Sequence, residues 1–220
     1  GEDGVAGFLA ILALWLPLEF AAGSALVPRP VQGTLHAIAY GIAVTMALLV
    51  FLVWRRFPGM KYNPPQRLSD LANAAAGFLC AALILIPVGL AIGFLAPVHM
   101  PRVTAGTAVI RAALIFAGTA LPEEILFRAL IQNWLTRRLG GSNATIALSA
   151  LIFGLAHLNN APGPSPNWRY AIVATIAGFL FGKVFQRSTS VLASGGAVSA
   201  AMIRSLSWPW LKPPVPGTGS

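Results

Sequence analysis

Residues 107–135 read TAVIRAALIFAGTALPEEILFRALIQNWL. The run is long enough to cross a bilayer as a helix, which takes about 20 apolar residues. Glu123, Glu124 and Arg128 nevertheless sit inside it. The whole chain has only 6 acidic residues. Two of them side by side in apolar surroundings set the question of both fold and chemistry.

The surroundings are consistently apolar. Hydrophobic residues make up 56% of the 220-residue chain, charged residues 10%, and the mean hydropathy is +0.74. Soluble domains carry about 25% charged residues, so the excess apolar surface has to face lipid. Further apolar runs fall at 5–27, 35–54, 71–95, 143–160 and 170–186, with a weaker one at 191–208. Turn-forming stretches such as RRFPGMKYNPPQRLSD (55–70) and NNAPGPSPNW (159–168) separate them. Lipid offers the backbone no hydrogen-bond partners, and continuous runs rather than ten-residue alternation favour helices over a barrel. The expectation is an all-α polytopic transmembrane helix bundle of about seven spans. Within this one bundle, 1–106 form the N-terminal helices, 107–208 a second helical part and 209–220 a flexible tail.

The formal charge of +9 does not indicate nucleic acid, because the basic residues lie at the ends of apolar runs, where an anionic leaflet attracts them. The loops after the second, fourth and sixth runs carry Arg55, Arg56, Lys61, Arg67, Arg137, Arg138, Lys183 and Arg187, against Arg29, Arg102 and Arg169 on the opposite side. That asymmetry places the N-terminus in the cytoplasm. Cys80 is the only cysteine, which excludes a disulfide framework and is expected as a small buried hydrophobe. The start, Gly-Glu-Asp, has no basic n-region and does not read as a signal peptide.

Ionisable groups in a membrane are costly and usually face the bundle interior, where they carry function. Four residues apart on a helix, Glu124 and Arg128 can pair. Glu123 points about 100° away and is left without that partner. One carboxylate is thereby anchored, and the other is free to exchange a proton with water. Pro122 removes a backbone donor just before them and predicts a kink. The next run contains FGLAH, with Phe153 and His157 four apart on one face. Glu123 stands 14 residues above Arg137 and His157 stands 15 above Ser142, about 21 and 22 Å at helical rise. Antiparallel neighbours joined by a short turn bring the two groups to one level.

These residues resemble a family. The EExxxR of Glu123, Glu124 and Arg128, followed by the FxxxH of Phe153 and His157, is similar to the first two motifs of the CPBP intramembrane proteases. These comprise the CAAX prenyl endopeptidases and bacteriocin-processing relatives, also called the ABI group. The resemblance covers about residues 107–205 and implies a glutamate-type endopeptidase. Glu123 would activate water, with Glu124 and Arg128 as its support and His157 as an oxyanion donor or substrate-positioning group. Phe153 and Asn160 would line the substrate site; Asn159 and Asn160 otherwise cap and turn the chain. The implied setting is a prokaryotic cell membrane, and the implied partner a membrane-associated or lipidated peptide or protein.

One motif departs from the family. Relatives follow the turn corresponding to RSTS (187–190) with a helix bearing HxxxN or HxxxD, but here those positions hold Val198 and Met202. Arg204 lies on the same run and would supply a positive charge, or else snorkel to the interface. His157 with carboxylates alone makes a poor zinc site, so neither metal nor other cofactor is expected. The missing motif keeps a second reading open: a catalytically inactive relative acting as a membrane scaffold or binding protein. A proton-coupled transporter would need a repeated half that the sequence lacks. Glu19 is expected to line the cavity with no local partner, and His36 and His99 to be interfacial.

Overall fold

The computed structural model describes residues 2–20, 28–95, 104–160 and 165–202. Among these, the regular elements are all helices: α1 (Glu2–Glu19), α2 (Arg29–Leu48, continued by a π-helical segment over Leu49–Trp54), α3 (Leu68–Ala91), a long interrupted helix α4, α5 (Asn143–Leu155), α6 (Trp168–Arg187) and α7 (Val191–Met202). The expected tail at 209–220 lies outside the described residues. By length and composition α3 and α6 can each cross a bilayer, while 4–19, 38–54 and 143–155 are apolar but shorter. The all-α expectation is met; against the seven spans anticipated, two helices among the described residues are long and apolar enough to cross a bilayer. The run 143–160 shows why. Its helix stops at Leu155, and the chain closes with three-residue bonds from His157 N to Gly154 O (3.0 Å) and Leu158 N to Leu155 O (3.1 Å).

Helix α4 runs from 105 to 139 in five segments. It is α-helical over Ala105–Ile115, π-helical over Phe116–Ala120, α-helical over Leu121–Glu124, π-helical over Ile125–Gln132 and α-helical over Asn133–Leu139. Pro122 accounts for the first widening. Its nitrogen cannot donate, and its ring crowds the carbonyl four residues back. The ladder instead closes from the Leu121 N–H to the Phe116 carbonyl, five back. Such π segments often mark functional sites. Gly140, at φ 83°, ends the helix, and Ser142 starts α5 by accepting the Thr145 N–H at 3.2 Å.

Helices α5 and α6 form the tightest pair. A side-chain carbon added to Gly178 would lie 3.1 Å from Ala150 Cα, and one added to Gly154 would lie 2.7 Å from the Ala171 carbonyl oxygen. Only glycine permits that approach of two backbones. Helix α3 packs one side on α6 and α7 and leaves the other open. Leu71, Leu79, Leu83 and Leu90 are exposed on it, and so is Cys80, contrary to the burial expected from sequence. An open apolar helix face of this kind fits lipid rather than water.

A polar seam closes one end of the bundle. Lys61, at φ 53°, donates its ammonium to the carbonyls of Phe185 (2.6 Å), Gln186 (3.3 Å) and Ser188 (2.8 Å) at the end of α6. A cation at a helix C-terminus satisfies orphan carbonyls and opposes the helix dipole. Burial pulls the Lys61 ammonium below its usual range, while Asp70 works against that shift.

Candidate active site

The carboxylate–guanidinium pair is buried as deeply as the protein allows. Glu124 is 1% exposed and Arg128 0%, with Arg128 Nε 3.3 Å from Glu124 Oε1. That contact is an ion pair without hydrogen-bond alignment, since Arg128 Nε, Nη1 and Nη2 have no hydrogen-bond partner among the described residues. The guanidinium also lies 4.8 Å from the centre of the Phe153 ring, a cation–π contact that strengthens when desolvated. The pairing read from the four-residue spacing is therefore present, and Phe153 of α5 forms its floor.

From Phe153 a chain of rings crosses the bundle. Trp15 of α1 meets Phe127 of α4 edge-on at 5.4 Å, and Phe127 meets Phe153 at 4.8 Å. Phe153 then meets His157 at 4.5 Å, and His157 meets Tyr170 of α6 at 4.7 Å. Phe94 covers the far side of Tyr170 at 5.1 Å. Aromatic pairs of this kind contribute about 0.5–1.5 kcal/mol each beyond their buried area. His157 is held at a fixed angle by them and by its Nδ1, which lies 2.7 Å from the Phe153 carbonyl oxygen.

Glu123 does not share the pair. Its Oε2 is buried and has no hydrogen-bond partner among the described residues. Tyr40 of α2 and Tyr170 of α6 both stand within electrostatic reach of it, as does Glu124. Glu19 joins the same cluster through Tyr40. It is not without a local partner as the sequence suggested, because Trp15, one helical turn back, donates its indole N–H at 3.2 Å. Beside Pro122 a narrow apolar cleft opens between α1, α2 and α4, lined by Trp15, Leu18, Tyr40, Val44, Pro122 and Leu126.

Helix α7 approaches from the remaining side. Buried Ser194 lies against Glu124 and donates to the Val191 carbonyl at 2.9 Å. A carbon added to Gly195 would sit 3.9 Å from Glu124 Cγ. Val198 and Met202 continue the same helix beyond this contact. Arg204 and His99 lie outside the described residues, as does the side chain of His36. Asn160 is brought near the site only through its backbone: it is exposed, and its carbonyl accepts from Asn167 Nδ2 at 3.1 Å. Asn159 accepts from Ser165 Oγ at 3.1 Å.

Tyr170, Tyr40 and Ser194 were not singled out in the sequence. For Tyr170 a signal exists. Asn167 is a capping residue three positions earlier, and its side chain accepts the Tyr170 N–H at 3.1 Å. The same Asn167 donates its backbone N–H to Leu158 at 2.6 Å, tying the start of α6 to the turn that carries His157. Tyr40 and Ser194 sit in apolar helices with no such mark.

Residues 105–201 match the family model described as Type II CAAX prenyl endopeptidase Rce1-like. The matched segment begins with α4 and ends in α7, and so contains the pair, His157 and Tyr170. No curated protein and no solved structure matches the chain.

Proposed function

Residues 105–201 belong to the CPBP family of CAAX-type endopeptidases, and on that premise we propose that this chain is a membrane-embedded endopeptidase whose Glu123 activates water. The observation that carries the reading is the division of labour between adjacent carboxylates. Glu124 is tied to Arg128 at 3.3 Å, whereas the buried Glu123 Oε2 has no hydrogen-bond partner among the described residues. A base must be free to take a proton, and its neighbour's ion pair fixes the backbone that presents it.

In this mechanism Glu123 removes a proton from water as the oxygen attacks the scissile carbonyl carbon. The carbonyl π pair moves to oxygen, giving a tetrahedral oxyanion. Collapse restores the carbonyl and breaks the C–N bond, and the proton held by Glu123 passes to the leaving amine. His157 positions the substrate and Phe153 holds both His157 and Arg128 in place. No metal takes part. The substrate in this reading is a membrane-associated or lipidated peptide or protein, whose apolar part stays in the surrounding lipid. The chain spans the membrane about seven times with its N-terminus in the cytoplasm, consistent with the basic loops.

A second reading, an inactive membrane scaffold, is favoured by one observation: Val198 and Met202 stand where relatives carry hydrogen-bonding side chains. One experiment separates the two. Purified protein is incubated with a farnesylated CAAX-type peptide and the products are identified by mass spectrometry. Cleavage by the wild type and its loss in Glu123→Gln, with unchanged thermal stability, supports the enzyme. Binding without cleavage supports the scaffold, and full activity of Glu123→Gln removes Glu123 from the mechanism.

A further inference from the structure

Hydrogen-bond bookkeeping at His157 leaves a role unfilled. A backbone carbonyl can only accept, so the 2.7 Å contact with Phe153 O places the imidazole proton on Nδ1. Nε2 of the neutral ring is then an acceptor. It cannot give a hydrogen bond to an oxyanion. Arg128 keeps unpartnered N–H groups among the described residues, but its guanidinium is wholly buried against Glu124 and the Phe153 ring, away from an incoming peptide. Asn160 turns the chain at the exposed end, and the family's last motif is replaced by Val198 and Met202. A tetrahedral oxyanion requires at least one donor aimed at it.

Tyr170 brings a phenolic donor next to His157. Its ring is clamped between His157 at 4.7 Å and Phe94 at 5.1 Å. Its backbone is fixed by the Asn167 cap at 3.1 Å. It reaches Glu123 electrostatically, yet no hydrogen bond joins the two among the described residues. A phenolic hydroxyl on a ring packed against His157, and not bonded to Glu123, is free to meet the carbonyl oxygen of a bound peptide. We infer that Tyr170 is a catalytic residue that donates a hydrogen bond from its phenolic hydroxyl to the oxyanion. The hydroxyl keeps its proton throughout, so the proton traffic between water, Glu123 and the amine is unchanged.

The inference rests on the endopeptidase reading, and its test keeps the two apart. Tyr170→Phe retains the ring and its packing and removes only the hydroxyl. With a farnesylated CAAX-type peptide as probe, kcat should fall about 100-fold or more, the usual effect of losing one oxyanion donor. KM and the thermal midpoint should stay close to wild type, which a merely structural role would not produce. Wild-type kcat in Tyr170→Phe, alongside an inactive Glu123→Gln, overturns the inference and leaves the reading intact. Loss of kcat in Tyr40→Phe instead would place the donor on α2 and also overturn it. A wild type that cleaves nothing overturns both.

Discussion

Thr189 gives Asp70 two hydrogen bonds, one from its backbone N–H at 2.7 Å and one from its hydroxyl at 2.5 Å. The same carboxylate accepts the backbone N–H groups of Gln66 (3.0 Å) and Arg67 (3.1 Å) at the start of α3. One fully buried side chain thus caps a helix and fastens it to the turn that launches α7. Asp70→Ala would strand three backbone donors. The expected loss is about 2–4 kcal/mol, against about 1 kcal/mol for Thr189→Val, which removes only the hydroxyl bond. Thermal unfolding in detergent should order the proteins as wild type, Thr189→Val, Asp70→Ala. Equal midpoints would mean that the seam does not hold the bundle together.

Among the described residues Arg128 is the largest fully buried side chain, and its charge is balanced there by Glu124 alone. Removing it leaves Glu124 ionised in an apolar interior. Arg128→Ala should cost roughly 3–5 kcal/mol, while Glu123→Gln leaves the pair untouched and should change stability little. Midpoints of the two variants that coincide would show that the pair contributes nothing to the fold.

How much of this was legible beforehand follows from what each feature depends on. The Glu124–Arg128 pair is a property of one helix, so four-residue spacing was enough to predict it. Phe153 and His157 follow the same spacing, although His157 lies just past the end of α5 in a tighter turn. Cys80 is exposed where the sequence predicts burial, because hydrophobicity does not tell a lipid-facing position from a core one. The π segments of α4 were foreshadowed only by Pro122, since ring crowding marks one end of the distortion and not its length. Asp70 and Tyr170 depend on partners 119 residues away in one case and on a neighbouring helix in the other. No local pattern encodes either meeting.

His157 is predicted to tolerate asparagine structurally and not chemically. The side-chain amide of Asn can still donate to the Phe153 carbonyl, replacing the 2.7 Å bond of Nδ1. It cannot reach the position of Nε2. His157→Asn should therefore remain folded while kcat falls about 100-fold, the usual cost of misplacing a substrate by about 1 Å. His157→Ala should lose both activity and stability, because the rings of Phe153 and Tyr170 lose their shared neighbour. An active His157→Asn would assign Nε2 no part in catalysis.

The final prediction concerns metal. Stable zinc sites use at least three protein ligands within about 2.3 Å. Among the described residues no three His, Cys, Asp or Glu side chains converge. Of the groups nearest Glu123, Glu124 faces the Arg128 guanidinium, whose positive charge also opposes a bound cation. His157 has committed Nδ1 to the Phe153 carbonyl, leaving Nε2 as its one free ligand atom. Two donors, one on a carboxylate and one on an imidazole, do not hold zinc against a strong chelator. Prolonged treatment with EDTA or 1,10-phenanthroline should therefore leave peptide cleavage unchanged, and purified protein should contain well under one zinc per chain. One zinc per chain, with activity lost on its removal and restored on its return, would overturn the water-activating role given to Glu123 alone and assign the carboxylates to metal ligation.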